Sequence, residues 1–532
     1  MAAGRRAALP SVPLDRDTGS APPIFRSVLF PPGEPETPRA EQPACFVDLN
    51  LDQVVNAIVA DRDEAVLRPL FYSPSRREDI IRYRQAVFAD LERPGVFEVM
   101  QAFSGAMRTV RANLAYAAPI DRASHQHAVT LRAITLYCRA VLSLSEGLQL
   151  HRPRSEALSE LLAYLADYRA SPAFSSLAGE ADDLTRALAD LSYGMLFRGD
   201  KVTVRKYADE VDFAATILDR FARFRTEPVG ARPPRPPGDD FALNHIEEAI
   251  LAFVAKLFPD EFHALAAFVT RRAEFIDQAL ARFEREIAFF VSYLEFIAPM
   301  KAANLPFCHP DVSAVSKETE AHEAFDLALA AKLVSERKPV ICNDFRLTGA
   351  ERMLVVTGAN QGGKTTFSRM FGQMHILAGL GCPVPGTRAR LFLADQVFTH
   401  FEREEDITNL RGKLEDELFR LHRTCEVMTG DSVVILNEVF NSTSLDDQIL
   451  LSTKVMERIL ATDALGVCVT FLDGLTSLSA KTVSMVSMVD PDNPANRTFR
   501  VKRMPANGLA YALSLAEKRG VTYERLCARI RP

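Results

Sequence analysis

Gly358-Ala-Asn-Gln-Gly-Gly-Lys-Thr365 is the stretch whose residue types and spacing most directly imply chemistry. It fits G-x-x-x-x-G-K-[ST], a turn in which glycines let the backbone curl so that successive N–H groups face phosphate oxygens. In that pattern Lys364 reaches the β- and γ-phosphates of a nucleotide and the Thr365 hydroxyl sits on Mg²⁺. The nucleotide-binding candidates are therefore Gly358, Ala359, Asn360, Gln361, Gly362, Gly363, Lys364, Thr365 and Thr366. A second polar element closes an apolar run, Ser432-Val-Val-Ile-Leu-Asn437-Glu438, and fits a Walker B position. The usual pair there is Asp-Glu, the Asp ordering Mg²⁺ through water and the Glu activating the attacking water. Here Asn437 can accept a hydrogen bond from a metal-bound water but brings no charge, so Mg²⁺ is held more weakly. Glu438 stays available as general base. The metal-side candidates are Thr365 and, through water, Asn437.

These groups need elements to position them. Leu354-Val-Val356 reads as a strand running straight into the loop, and Thr366–Phe371 as a helix leaving it, its N-terminus adding partial positive charge. From about residue 339, short β-branched runs alternate with helical stretches: Met353–Val356, Arg390–Leu393, Ser432–Leu436 and Val467–Phe471. That alternation predicts a mostly parallel α/β sheet.

The preceding chain is helical in pattern from Phe46 to about Phe224, with breaks at Pro153 and Pro172 and a strand or bent connection at Lys201–Arg205. Pro228–Gly238 reads as a linker. Beyond it, Phe268, Phe275, Ala279, Phe283, Ile287, Phe290 and Leu294 hold one face of a helix for over seven turns, a packed lever that Pro299 ends or kinks. Residues 1–43, rich in proline, read as a flexible tail. The expected organisation is a tail over 1–43, an all-α core and lever domain over 44–335 with its linker near 228–240, and an α/β P-loop domain over 336–532.

Composition narrows the class. Hydrophobic residues make up 48% and charged residues 25%, the balance of a globular chain rather than a disordered or fibrous one. The longest uncharged stretch, Met370–Thr387, is interrupted by four glycines and two prolines, so no membrane span is expected. Eight cysteines stand singly without C-x-x-C spacing, which predicts neither a zinc cage nor a disulfide framework and fits a reduced, cytoplasmic protein. A net charge of −6 gives no global drive toward nucleic acid, though a local basic groove remains compatible with it. His125 and His127 read as ordinary surface or core histidines. The runs Glu402–Asp406 and Glu415-Asp-Glu417 read as solvated faces.

Taken together, Val340-Ile-Cys-Asn-Asp-Phe-Arg-Leu347, Val355–Phe367 with its Asn-x-Gly-Gly-Lys-[ST]-Thr form, Leu436–Ser444 and Gly508–Val521 resemble the ATPase domain of the MutS DNA mismatch-repair family. The likeness covers about 340–532 and is mainly architectural over 45–335. It implies an ABC-type nucleotide-binding fold using ATP and Mg²⁺, a homodimer through the ATPase domains, composite sites, and DNA, duplex or branched, as partner. It also places Val340 at an apolar wall for adenine.

The departures are specific. The family has His after Thr on the strand following Walker B, where this chain has Thr470-Phe471. Its Ser-containing signature falls near Arg411-Gly-Lys-Leu414, which lacks Ser. Its Phe-x-Glu mismatch wedge has no counterpart in residues 1–100. A shortened form without the mismatch-binding domain and without a C-terminal nuclease-like domain is expected. Two functions follow: an ATP-dependent DNA clamp with slow hydrolysis, or a nucleotide-gated scaffold with little or no turnover.

Overall fold

The structure, a computed structural model, describes residues 25–33, 35–60, 62–199, 201–208, 243–402, 412–490, 496–506 and 522–529. The expected linker at 228–240, residues 403–406 of the acidic run, Arg411 and the segment 508–521 lie outside the described residues.

Apolar residues at three- and four-residue spacings wind into helices α1 (Cys45–Asp48), α2 (Leu51–Val59), α3 (Glu64–Phe71), α4 (Glu78–Leu91), α5 (Pro94–Ala117), α6 (Ala123–His151), α7 (Glu156–Ala170) and α8 (Pro172–Ala189). Pro153 falls just past α6, and Pro172 sits in the first turn of α8, where a missing N–H costs nothing. The antiparallel hairpin β1 (Tyr193–Arg198) and β2 (Lys201–Lys206) follows, then α9 (His245–Leu257), α10 (Pro259–Arg271) and α11 (Gln278–Ala302). By length and composition α6 could cross a bilayer. Its apolar face, including Ile134, Tyr137 and Leu144, is instead buried within the helical body.

Two expectations need correction. The apolar stripe from Phe268 to Leu294 lies on two helices, not one. α10 stops at Arg271, and Asp277 caps α11 by accepting the Leu280 N–H at 3.0 Å. The stripe keeps its spacing across the break because Phe268, Phe275, Phe283, Ile287 and Phe290 are all buried in the same core. Pro299 sits in the last turn of α11. Nor is all of 1–43 a loose tail. An apolar cluster interrupts its prolines, and Phe25, Val28 and Leu29 are buried. Ser27 Oγ donates to Glu286 Oε2 at 2.8 Å, and Arg84 Nε donates to the Leu29 carbonyl at 3.1 Å.

The C-terminal region begins with β3 (Phe307–Cys308), β4 (Asp311–Ser313), β5 (Thr319–Ala324), α12 (Leu327–Ser335) and β6 (Asn343–Leu347). It continues through β7 (Met353–Gly358), α13 (Lys364–Leu380), β8 (Val384–Pro385), β9 (Arg388–Phe392) and β10 (Val397–His400). The last elements are α14 (Lys413–Val427), β11 (Val433–Asn437), α15 (Leu445–Ala461), β12 (Leu465–Val469), β13 (Thr482–Val489), β14 (Arg497–Arg503) and α16 (Tyr523–Arg529). Six strands form one sheet in the order β10-β11-β12-β7-β13-β14, parallel except for β14. The strand read at Arg390–Leu393 is not in it. As β9 it joins a four-stranded sheet, β4-β9-β5-β6, because its pairing partners come from β4 and β5, just before the loop-bearing strand.

α13 explains the long uncharged stretch: fourteen of its seventeen residues are buried, since it is covered on both sides. One side meets the sheet and the other meets the helical body. At Gly372 the fit is so close that a Cβ would stand 2.4 Å from Ile435 Cδ1 and 2.7 Å from Leu49 Cδ2. One apolar core therefore runs from Phe46 and Phe290 through Phe371 to Ile435.

Candidate functional site

Strand register builds the site. Asn437 pairs with Val469, Val469 with Val356, and Ser487 with Gly358, so the C-terminal ends of β11, β12, β7 and β13 line up along one edge. Ligands in parallel α/β sheets bind outside such an edge. The loop leaving β7 turns there into the N-terminus of α13.

Two glycines of the loop are required by close approach. At Gly358, φ is +109° and a Cβ would sit 2.8 Å from the Ser487 carbonyl oxygen. At Gly362 a Cβ would fall 2.2 Å from Ser487 Oγ, and that hydroxyl donates to the Gly362 carbonyl at 2.7 Å. Gly363 adopts φ +92° at the helix start. Ala359 is buried under the turn, while Gln361 holds φ +57° on its exposed crest and Thr366 lies half-buried in the first turn of α13. Arg497 of β14 donates from Nε to the Asn360 carbonyl at 2.9 Å.

Lys364 is buried beneath the loop. Its Nζ donates to the carbonyls of Gly358 (3.1 Å) and Ala359 (3.2 Å) and to Asn360 Oδ1 (3.4 Å). Burial pulls this ammonium below the usual lysine range; Glu438 opposes that pull and Arg497 adds to it. Glu438 Oε1 stands 3.9 Å from Nζ, and the Phe471 ring centroid lies 4.2 Å from it. Next along α13, Thr365 Oγ1 donates to Asn437 Oδ1 at 3.0 Å. The structure thus brings Lys364, Thr365, Asn437 and Glu438 together. Val340 stands apart from them, half-buried against the main core in the coil before β6.

The donor set suits a nucleotide and a divalent cation. The curl that only glycine permits at 358 and 362 leaves a cradle, and a hydroxyl and an amide oxygen meet at its metal side. No group of three or more metal-binding side chains occurs among the described residues. A cation here would therefore depend on a phosphate ligand as well as on protein atoms.

Several positioning residues escape a reading of the sequence. Glu417 was expected on a solvated face; it is buried, and its Oε1 accepts the Phe440 N–H at 3.0 Å. That bond holds the turn after β11, where Glu438 (φ 55°) and Phe440 (φ 60°) both adopt left-handed backbone angles unusual outside glycine. His400 Nε2 lies 3.4 Å from the same Glu417 oxygen. Ser487 and Arg497 hold the phosphate loop from strands more than 120 residues downstream. Asn343 ties β6 to β14, donating to the Phe499 carbonyl (3.1 Å) and accepting the Val501 N–H (2.7 Å).

Comparison with known proteins agrees with this geometry. Residues 354–520 match MutS domain V. The DNA mismatch repair protein MutS of Brevibacillus brevis is 30% identical over 127 residues, which cover 24% of this chain and 15% of that protein. This chain therefore aligns with well under two thirds of that relative's length. The matched span takes in the glycine loop, the Asn437–Glu438 strand end and Ser487, so over residues 354–520 the chain is similar to the MutS family's domain V.

Proposed function

We propose that this protein is an ATP-dependent DNA-binding protein of the mismatch-repair or DNA-structure-sensing type, acting as a dimeric clamp with slow ATP hydrolysis. The observation that carries the reading is the buried Lys364 under a glycine cradle at the sheet edge, inside a MutS domain V. In this reading the domain takes an ABC-type fold. Gly358–Thr366 hold the triphosphate, Val340 flanks the base, and Thr365 with Asn437 faces the Mg²⁺ side. Glu438 is the general base. Mg²⁺, when bound, supplies positive charge for the phosphate oxygens. Two copies meet through their ATPase domains and complete each other's sites.

The route from nucleotide to DNA runs through α13. Arg369 Nε donates to the Asp48 carbonyl (2.9 Å), and Gln373 Nε2 donates to Leu49 O (2.8 Å) and Asp326 Oδ1 (3.0 Å). Gln373 Oε1 in turn accepts the Leu327 N–H at 2.8 Å. With each polar group of Gln373 engaged, a shift of the loop helix is passed to the helical body rather than absorbed. ATP then closes the clamp to the extent that it binds the closed state better. All eight cysteines are free, which supports placement in the reducing cytoplasm, and membranes play no part in this reading.

DNA affinity measured with and without ATP, for the natural protein and Lys364→Ala, tests the reading. ATP should change the DNA affinity of the natural protein and leave the variant unmoved; ATP-independent binding in both would overturn it. The second reading, a nucleotide-gated scaffold with little or no turnover, is favoured by one contact. The oxygen that meets the Thr365 hydroxyl is the uncharged amide of Asn437.

A further inference from the structure

Phe471 is the side chain at the site with no role in the reading above. Its neighbours are pinned: Thr470 N–H donates to the Val356 carbonyl at 3.1 Å, and Leu472 N–H donates to Thr470 Oγ1 at 3.0 Å. Thr470 and Leu472 are buried, yet the Phe471 ring between them is 45% exposed. A large apolar ring pinned outward at a sheet edge gains little from burial. Its neighbour is the Lys364 ammonium, 4.2 Å from the ring centroid.

The three hydrogens of that ammonium already face Gly358 O, Ala359 O and Asn360 Oδ1. Glu438 stands beside it at 3.9 Å. Lys364 is thus satisfied from within its own loop, with an aromatic face closing one further side. If Glu438 is the base that activates water for attack on a terminal phosphate, that phosphate must lie between Glu438 and Lys364. An aromatic face attracts the ammonium and repels anionic oxygen, because its quadrupole is negative on the face.

We propose that Phe471 is a specificity-determining cap on Lys364, which admits a nucleoside diphosphate more readily than a triphosphate. The inference rests on the nucleotide-binding reading of the loop. A diphosphate needs Lys364 only for its β-phosphate, met from the side of the glycine cradle, and leaves the ring in place. A third phosphate must displace the ring from the ammonium and leave its charge beside the carboxylate of Glu438. The cap therefore biases the resting protein toward the diphosphate-bound or empty state.

The test is calorimetric titration of the full chain with ADP and with a non-hydrolysable ATP analogue in Mg²⁺, for the natural protein, Phe471→Ala, Phe471→Leu and Lys364→Ala. The natural protein should favour ADP. Phe471→Ala should raise analogue affinity roughly three- to thirtyfold, the range of a displaced cation–π contact, and leave ADP affinity nearly unchanged. Phe471→Leu keeps bulk without the ring's charge distribution and should fall between them. An unchanged ADP-to-analogue ratio in Phe471→Ala, with both nucleotides binding, overturns the cap alone. Binding of neither nucleotide by any form, or equal binding by Lys364→Ala, overturns the nucleotide reading beneath it.

Discussion

The two halves of the site were built to different standards. On the β7–α13 side the elements that would grip a phosphate chain stand together: the glycine curl, the buried Lys364, the helix N-terminus, and supports from Ser487 and Arg497. On the β11–β12 side, the elements that would turn binding into hydrolysis in the proposed function depart from the expected pattern. An amide stands at Asn437 where a carboxylate serves metal binding best, and a phenyl ring stands at Phe471 over the ammonium. Glu438 is the carboxylate that would serve as base there. Under the proposed function, gripping a nucleotide and cleaving it are separable tasks within one sheet edge, and this chain is equipped more fully for the first than for the second.

Removing the grip should have the largest effect. Lys364→Ala should weaken nucleotide binding by about a hundredfold or more, the cost of deleting one partner of a buried charge contact, as read by titration. Undiminished binding would erase the contrast. Next, Glu417→Ala leaves the Phe440 N–H buried without its acceptor, which costs about 1–3 kcal/mol. The expected outcome is a lower Tm and slower turnover with nucleotide affinity preserved, because the turn it holds belongs to the hydrolytic half.

Asn437→Asp addresses the contrast from the other direction. A carboxylate there should raise Mg²⁺-dependent turnover roughly tenfold, since charge-assisted contacts are about twice as strong as neutral ones. A flat Mg²⁺ titration would move the defect away from the metal side and toward an incomplete composite site. The smallest effect belongs to Ser487→Ala. Losing the Oγ donor to Gly362 should cost about 1 kcal/mol of loop rigidity, a roughly fivefold weaker nucleotide, with turnover per bound nucleotide unchanged.

The two halves were also unequally legible. The glycine loop and the strand and helix that flank it are local in the chain, so residue spacing from Leu354 to Phe371 described them. The apolar run ending at Asn437 was visible for the same reason. Ser487, Arg497 and Glu417 were not, because they reach the site through strand register and helix packing, which spacing does not encode. Glu417 even sits in an acidic run that argues for solvent. The stripe from Phe268 to Leu294 marked its buried face correctly but concealed the break before α11, since apolar periodicity can persist across a gap. There the signal was a cap, Asp277, three residues before Leu280. Likewise Phe25, Val28 and Leu29 were hidden by proline-rich neighbours, although their clustering is what seats them in the core.

In the proposed function this site holds adenine nucleotide firmly and cleaves ATP slowly through Glu438. The most direct test is ATP turnover by the purified protein and by Glu438→Ala, with and without homoduplex, mismatched and branched DNA, with nucleotide binding measured on the same samples. Both proteins should bind nucleotide, the natural protein should show slow DNA-stimulated turnover, and the variant should show none. Turnover that survives in Glu438→Ala, or a natural protein that binds no nucleotide, would contradict that function.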